Sequence, residues 1–227
     1  MAKYKLRLAK PSDAKEIANL HYSIREQGAP GIFAMMGKPF LKKYYKIVLN
    51  DPNEVVICAE NEKGQIVGFN SSTLDAKAQM DNLRRKRVQL AFAAFTSILA
   101  NPKLIKPLFD RYKSMHTSSP TKYFVSEGVR GEYWAWKAAE KDPVGSVEMN
   151  MAYRAVLRAL GVKEVFYEVD AGNKKVLAYH KLHKDVIIET INLPDGRERY
   201  LIIYKINRII LWKSLLNYLP IYSTKPI

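Results

Sequence analysis

Apolar positions along this chain recur with two periods, and the switches between them lay out the elements. From Tyr4, "YKLRLA" alternates apolar and cationic residues, the period of a half-buried strand. In "SDAKEIANLHYSIRE" the period lengthens, placing Ile17, Leu20, His21 and Ile24 on one helical face. Asp13 with Glu16 resembles a capping box at its start. His21, on the apolar face, reads as a packing residue rather than a ligand. After "QGAPGIFA", the stretch "GKPFLKKYYKIVLND" carries Phe40, Leu41, Tyr44, Tyr45 and Val48 as a second helical stripe. "EVVICAE" and "QIVGFNSSTL" are β-rich and joined by the short turn "NEKG", which predicts an antiparallel hairpin.

A long helical stretch then interrupts the strands. "MDNLRRKRVQLAFAAFTSILANPKLIKPLFDRYKSMHTSSP" reads as a helix, an Asn-Pro break, a second helix and a Ser/Thr/Pro loop, an insertion over about 76–120. "GEYWAWKAA" returns to a strand. "SVEMNMAYRAVLRALG" is a helix with Met149, Ala152, Tyr153, Val156, Leu157 and Leu160 on one face and Gly161 as its stop. "EVFYEV" is a strand, "NKKVLAYHKLH" a short helix, and "DVIIETINL" and "RERYLIIYKI" are strands around the turn "PDG". The tail "NRIILWKSLLNYLPIY" has helical amphipathicity. The order βαα, ββ, helices, βα, βα, ββ predicts a mixed α/β sheet with helices on both faces. One domain over 1–206 and an amphipathic tail over 207–227 are expected.

Composition narrows the function. With 227 residues and 48% apolar positions, the chain can bury a sizeable core. Cys58 is the single cysteine, so no disulfide forms within the chain, and its apolar run makes it a small buried residue. No run of about 20 apolar residues is present to form a bilayer-spanning helix. "AKYKLRLAKPSDA" at the start lacks the apolar core of a secretion signal, which predicts a cytoplasmic protein. The excess of 37 Lys and Arg over 22 Asp and Glu favours an anionic partner: nucleic acid, an acidic membrane or a polyphosphorylated small molecule. "LRRKR" spreads its cations around a helix, which suits a solvated face, and no aromatic RNA-binding module accompanies it, which disfavours nucleic acid. There is no Cys/His cluster, G-x-S-x-G elbow or Walker loop, so no metal is expected and esterase or nucleotide-triphosphatase chemistry is disfavoured.

The order of elements resembles the GNAT superfamily of acyl-CoA-dependent N-acyltransferases over roughly 1–75 and 125–206. "LRLAKPSDAKEIANLH" is similar to the family's first strand and helix, and "VVICAENEKGQIVGFNS" to its second and third strands. "YEVDAGNKKVLAYHKL" resembles the stretch in which an Asn ends the fifth strand and a Tyr lies on the next helix. "IIETINLPDGRERYLIIYKI" resembles the closing hairpin. The resemblance implies a mixed, mostly antiparallel sheet flanked by helices, with the helical insertion between the third and fourth strands. It also implies acetyl-CoA as co-substrate, no metal, and a small-molecule amine as acceptor. An insertion at that point and a basic surface suit an amino sugar, free or nucleotide-linked.

The family's diphosphate loop, Gln/Arg-x-x-Gly-x-Gly/Ala, aligns here with Asp142, Pro143, Val144, Gly145, Ser146 and Val147, of which only Gly145 matches. A diphosphate at a helix start is held by backbone N–H groups and the helix dipole. Gly145, Ser146 and Val147 can supply N–H groups, Ser146 a hydroxyl, and Lys137 and Lys141 positive charge, provided Asp142 turns outward. Two readings stay open: a working anion site, and an ordinary turn in a GNAT-fold protein that has lost CoA and binds an acidic partner or membrane.

The resemblance also implies roles for single residues. Trp136, Lys137 and Ala138 would meet the pantetheine arm, Asn173 would lie at the end of the fifth strand beside the cofactor, and Glu132 would be the base, with Glu127 and Glu140 in reserve. The acid that reprotonates the thiolate aligns with Tyr179 or His180, and adjacent helical residues point about 100° apart, so only one can face it. The tail offers a peripheral membrane contact. Oligomeric state is left open.

Overall fold

The computed structural model describes residues 3–24, 32–106, 109, 127–192 and 197–206. The strands are β1 (Lys5–Leu8), β2 (Glu54–Glu60), β3 (Ile66–Thr73), β4 (Arg130–Trp136), β5 (Glu164–Asp170), β6 (Val186–Asn192) and β7 (Glu198–Lys205). They form one seven-stranded sheet in the order β1-β2-β3-β4-β5-β7-β6. Every neighbouring pair is antiparallel except β4 with β5. The helices are α1 (Ala14–Ser23), α2 (Ile32–Met35), α3 (Gly37–Val48), α4 (Ala76–Arg85), α5 (Arg87–Ala100), α6 (Pro143–Ala159) and α7 (Lys174–Leu182).

The sheet divides the core in two. On one face Ile17 and Leu20 of α1 and Leu41, Tyr44 and Tyr45 of α3 pack against Val56, Cys58, Phe69 and Ala135. On the other face Met149, Tyr153 and Leu157 of α6 pack against Val55, Ile57, Val67 and Val165. Successive β2 residues point to opposite faces, so a strand covered on both sides must be apolar throughout, as "VVICA" is. Burying a side chain such as Leu41 or Leu157 contributes about 1.5–3 kcal/mol.

Three local expectations change. Asp13 and Glu16 do not form a capping box. Asp13 accepts the Lys10 N–H at 2.6 Å and pairs with Arg7, while Glu16 reaches across to accept the Ile66 N–H at the start of β3, at 2.8 Å. The first helix of the insertion is broken at Lys86, giving α4 and α5. Ending α4 there places Arg84 and Arg85 at the negative end of its dipole, where cations are favoured. The fourth strand stops at Trp136, and Ala138–Glu140 form a 3-10 turn.

α4 and α5 lie between β3 and β4 in the chain, as expected. The later part of the insertion, the "PDG" turn and the tail from 207 lie outside the described residues. Among the described residues no helix is long and apolar enough to cross a membrane.

Candidate active site

β4 has one closed edge and one open edge. Toward β3 it pairs from Arg130 to Trp136, with a bulge that leaves Glu132 between the paired residues Gly131 and Tyr133. Toward β5 only Arg130↔Phe166 and Gly131↔Tyr167 pair. Beyond Gly131 the two parallel strands part, and the backbone from Glu132 to Trp136 has no ladder partner on that side. The Tyr167 ring lies against Gly131 so closely that a Cβ there would sit 2.1 Å from its Cε1. Because β4 and β5 run parallel, the segments that follow them, leading into α6 and α7, gather at the same end of the sheet, where α/β folds place ligands.

The α6 face of this cleft is aromatic. The Trp134 indole N–H donates to Ser146 Oγ at 3.1 Å, and the Tyr179 ring meets Trp134 edge-on with centroids 4.8 Å apart. Tyr179 also stacks on His183 at 4.0 Å, and the Arg154 guanidinium lies 5.0 Å from its ring. Its hydroxyl is buried and has no hydrogen-bond partner among the described residues. Burial pushes the phenol pKa up to about 12, against an opposing pull from Arg154. It therefore stays protonated, a donor without an acceptor. His180 has a different setting: its Nδ1 lies 2.6 Å from Asp185 Oδ2, which Arg154 also binds at 2.6 Å. The sequence alignment left these neighbours equivalent; packing separates a hydroxyl with no partner among the described residues from a ring already hydrogen-bonded to Asp185.

At the other end of the cleft Asp142 turns inward rather than outward. Its Oδ1 accepts the Gly145 N–H at 2.9 Å and its Oδ2 pairs with Lys3 Nζ at 2.9 Å. Those two contacts, the Gly145 N–H foremost, lower its pKa to about 2. α6 starts at Pro143, three residues before the expected Ser146, so Ser146 already bonds back to the Asp142 carbonyl at 3.4 Å and Val147 lies past the orphan donors. Pro143 has no N–H, which leaves Val144 as a first-turn donor unused by helix or cap. Gly145 is required by packing: a Cβ would fall 2.6 Å from Tyr4 Cε2 and 3.2 Å from Trp136 Cη2. The Lys137 N–H bonds to the Val67 carbonyl at 2.7 Å, Ala138 is exposed in the 3-10 turn, and Asn173 caps α7 by accepting the Val176 N–H at 3.3 Å. Of the expected cofactor residues, Gly145 is brought against Trp136, and several of the others' polar groups are used by the chain itself.

Glu132 lies on the opposite, α3-covered face, where its charge helps raise the pKa values of Tyr44, Tyr45 and Glu54. Arg130 holds it at 2.7 Å and also donates to Gln79 Oε1 at 2.7 Å, while Gln79 donates to Glu54 at 2.8 Å. Burial, and then the charge of Glu132, pushes Glu54 up to about 8. His21 is buried beside them, its Nδ1 2.7 Å from the Tyr45 hydroxyl and its pKa held down to about 4 by burial. The chain of Glu54, Gln79, Arg130 and Glu132 escaped the sequence reading; the available signal was Glu54, a carboxylate opening an otherwise apolar strand. Glu127 lies in the exposed bend before β4 and Glu140 in the turn after it. No group that could hold a metal occurs among the described residues.

No family model matches the sequence, and no curated protein sequence matches it. Solved structures do. The chain is similar to Arabidopsis thaliana NAA60 in complex with acetyl-CoA, with TM-score 0.53 at 13% identity, covering 89% of this chain and 98% of that one. It is similar to a mutant of the spermidine N-acetyltransferase SpeG from Vibrio cholerae, with TM-score 0.52 at 10% identity over 90% of this chain and 95% of that one. A GNAT-family acetyltransferase from Bacillus cereus superposes with TM-score 0.50 at 10% identity over 90% and 99%. Sheet order, the parted parallel pair and these likenesses together show that the chain has the fold of the GNAT N-acetyltransferases.

Proposed function

We propose that this protein is an N-acyltransferase that moves an acetyl group from acetyl-CoA to an amine of a small molecule. The observation that carries it is the open β4 edge running past the unpartnered hydroxyl of Tyr179. That edge offers N–H and C=O groups to an extended arm bearing amides, and the hydroxyl offers a proton at the arm's end. When bound, acetyl-CoA supplies the thioester carbonyl and the thiolate leaving group. Tyr179 donates to that thiolate. Glu132, held in place by Arg130, draws the acceptor's ammonium and takes its proton. Trp136, Val144 and Ser146 border the path of the arm.

The arm fits this cleft better than the diphosphate does. For phosphate to reach the Gly145 N–H, Asp142 has to release it, so Asp142 sets the affinity for the donor. Lys3, Lys137 and Lys141 supply the countercharge. The self-capped helix start also favours a second reading, a non-catalytic GNAT-fold protein.

Melting curves with acetyl-CoA, with CoA and ATP as controls, separate the two, because a ligand stabilises only a protein whose native state binds it. A rise with acetyl-CoA is expected; no rise at millimolar acetyl-CoA sinks the enzyme reading. Release of CoA thiol is then followed with an amino sugar, a nucleotide-linked amino sugar and spermidine. We favour the nucleotide-linked amino sugar, given the net charge of +15. Spermidine is included because SpeG is a spermidine N-acetyltransferase.

A further inference from the structure

α5 carries its largest side chains on the outside. Val88, Phe92, Phe95 and Leu99 are spaced four, three and four residues apart. At about 100° per residue they share one narrow arc of the helix. They are 75%, 72%, 56% and 65% exposed, and beyond the 102–104 turn Ile105 and Phe109 are 57% and 63% exposed. The other side of α5 is already used: Leu90 and Ala94 pack on the core beneath α3. A contiguous apolar stripe of this kind marks an interaction surface.

Charge identifies the partner. From Asn82 to Phe109 the chain holds six cations, Arg84, Arg85, Lys86, Arg87, Lys103 and Lys106, and no Asp or Glu. All six are exposed, and they bracket the stripe at both ends. A second copy docked on this face by two-fold symmetry would set cations against cations. The segment 207–227 carries Arg208, Lys213 and Lys225 and no acidic residue, so it meets the same repulsion. An anionic lipid surface answers both features, taking the apolar stripe at the acyl boundary and the cations at the headgroups.

We propose that α5 seats the protein on an anionic membrane surface. Val88, Phe92, Phe95 and Leu99 enter the headgroup–acyl boundary, while the cations at either end meet lipid phosphates. With 14 residues, α5 is too short to cross a bilayer and lies in its plane. This inference stands independently of the acyl-transfer proposal.

The test is co-sedimentation of the full chain with vesicles of phosphatidylcholine and phosphatidylglycerol, against vesicles of phosphatidylcholine alone. Binding to the mixed vesicles only, weakening as salt rises, is expected. Phe92→Ser with Phe95→Ser should weaken binding by about tenfold or more, because that apolar area no longer leaves water. Its melting temperature should not change, since both rings face solvent. Lys86→Glu with Arg87→Glu, which touches no core residue, should also weaken binding. Absence of binding, or a serine double variant that binds like the parent, overturns the proposal. So does a serine variant that loses stability at unchanged mass, which assigns the stripe to the chain's own tail, or one that splits a dimer, which assigns it to a second copy.

Discussion

The two ends of the β4–β5 cleft share a strand and a helix, yet they differ in what the chain has left free. At the Tyr179 end, β4 keeps an open edge and the buried Tyr179 hydroxyl has no partner among the described residues. At the far end, Asp142 occupies the Gly145 N–H and Tyr4 fills the space beside that glycine. A helix start attracts any nearby anion, and a carboxylate at the N-cap is an anion that never leaves the chain. One side chain therefore decides whether the same backbone caps itself or holds a ligand.

The strongest way to break this contrast is Tyr179→Phe. Turnover should fall about a hundredfold with acetyl-CoA binding and melting temperature unchanged, since the hydroxyl supports nothing in the fold. Steady-state rates and a binding titration check it, and an unaltered rate removes Tyr179 as the acid.

Glu54→Gln probes the buried polar network on the opposite, α3-covered face. A carboxyl whose folded pKa is raised contributes stability below its unfolded pKa and loses it as pH climbs through the folded value. For Glu54 that window runs from about 4.5 to about 8. The glutamine variant should match the parent near pH 5 and exceed it near pH 8, by roughly 2 kcal/mol, in urea unfolding. A gap independent of pH contradicts the assignment.

Gly145→Ala should cost about 2 kcal/mol through overpacking, with Tyr4→Ala recovering part of the loss in the double variant. If the glycine served phosphate alone, alanine would weaken acetyl-CoA binding and spare stability. Glu132→Gln should lower turnover about tenfold at neutral pH, with the loss shrinking at higher pH as the acceptor amine deprotonates by itself. A rate equal to the parent's at neutral pH discards Glu132 as base. The smallest effect is expected for Asp142→Asn. Acetyl-CoA should bind about threefold tighter once the competing charge is gone, while the amide still caps the helix. Weaker binding would mean that Asp142 assists the donor.

Much of the fold was legible because apolar periodicity records which faces are buried. The stripe of Phe40, Leu41, Tyr44, Tyr45 and Val48 and the run "VVICA" each say on which sides an element is covered. Capping was less legible. Glu16 had the spacing of a capping box, but its better partner, the Ile66 N–H, is 50 residues away in the chain. The network of Glu54, Gln79, Arg130 and Glu132 joins two strands and a helix far apart in sequence, so no local pattern announces it.

By itself, the sequence determined the elements, their order, the single buried cysteine and the strong positive charge, all properties of local pattern or composition. Tertiary structure decided how the polar groups are spent. It left the Tyr179 hydroxyl free while committing His180 to Asp185, and it turned Asp142 onto its own helix. It also placed the apolar stripe of α5 in solvent. These outcomes depend on which partner lies nearest in space, and that is settled only when distant segments pack together.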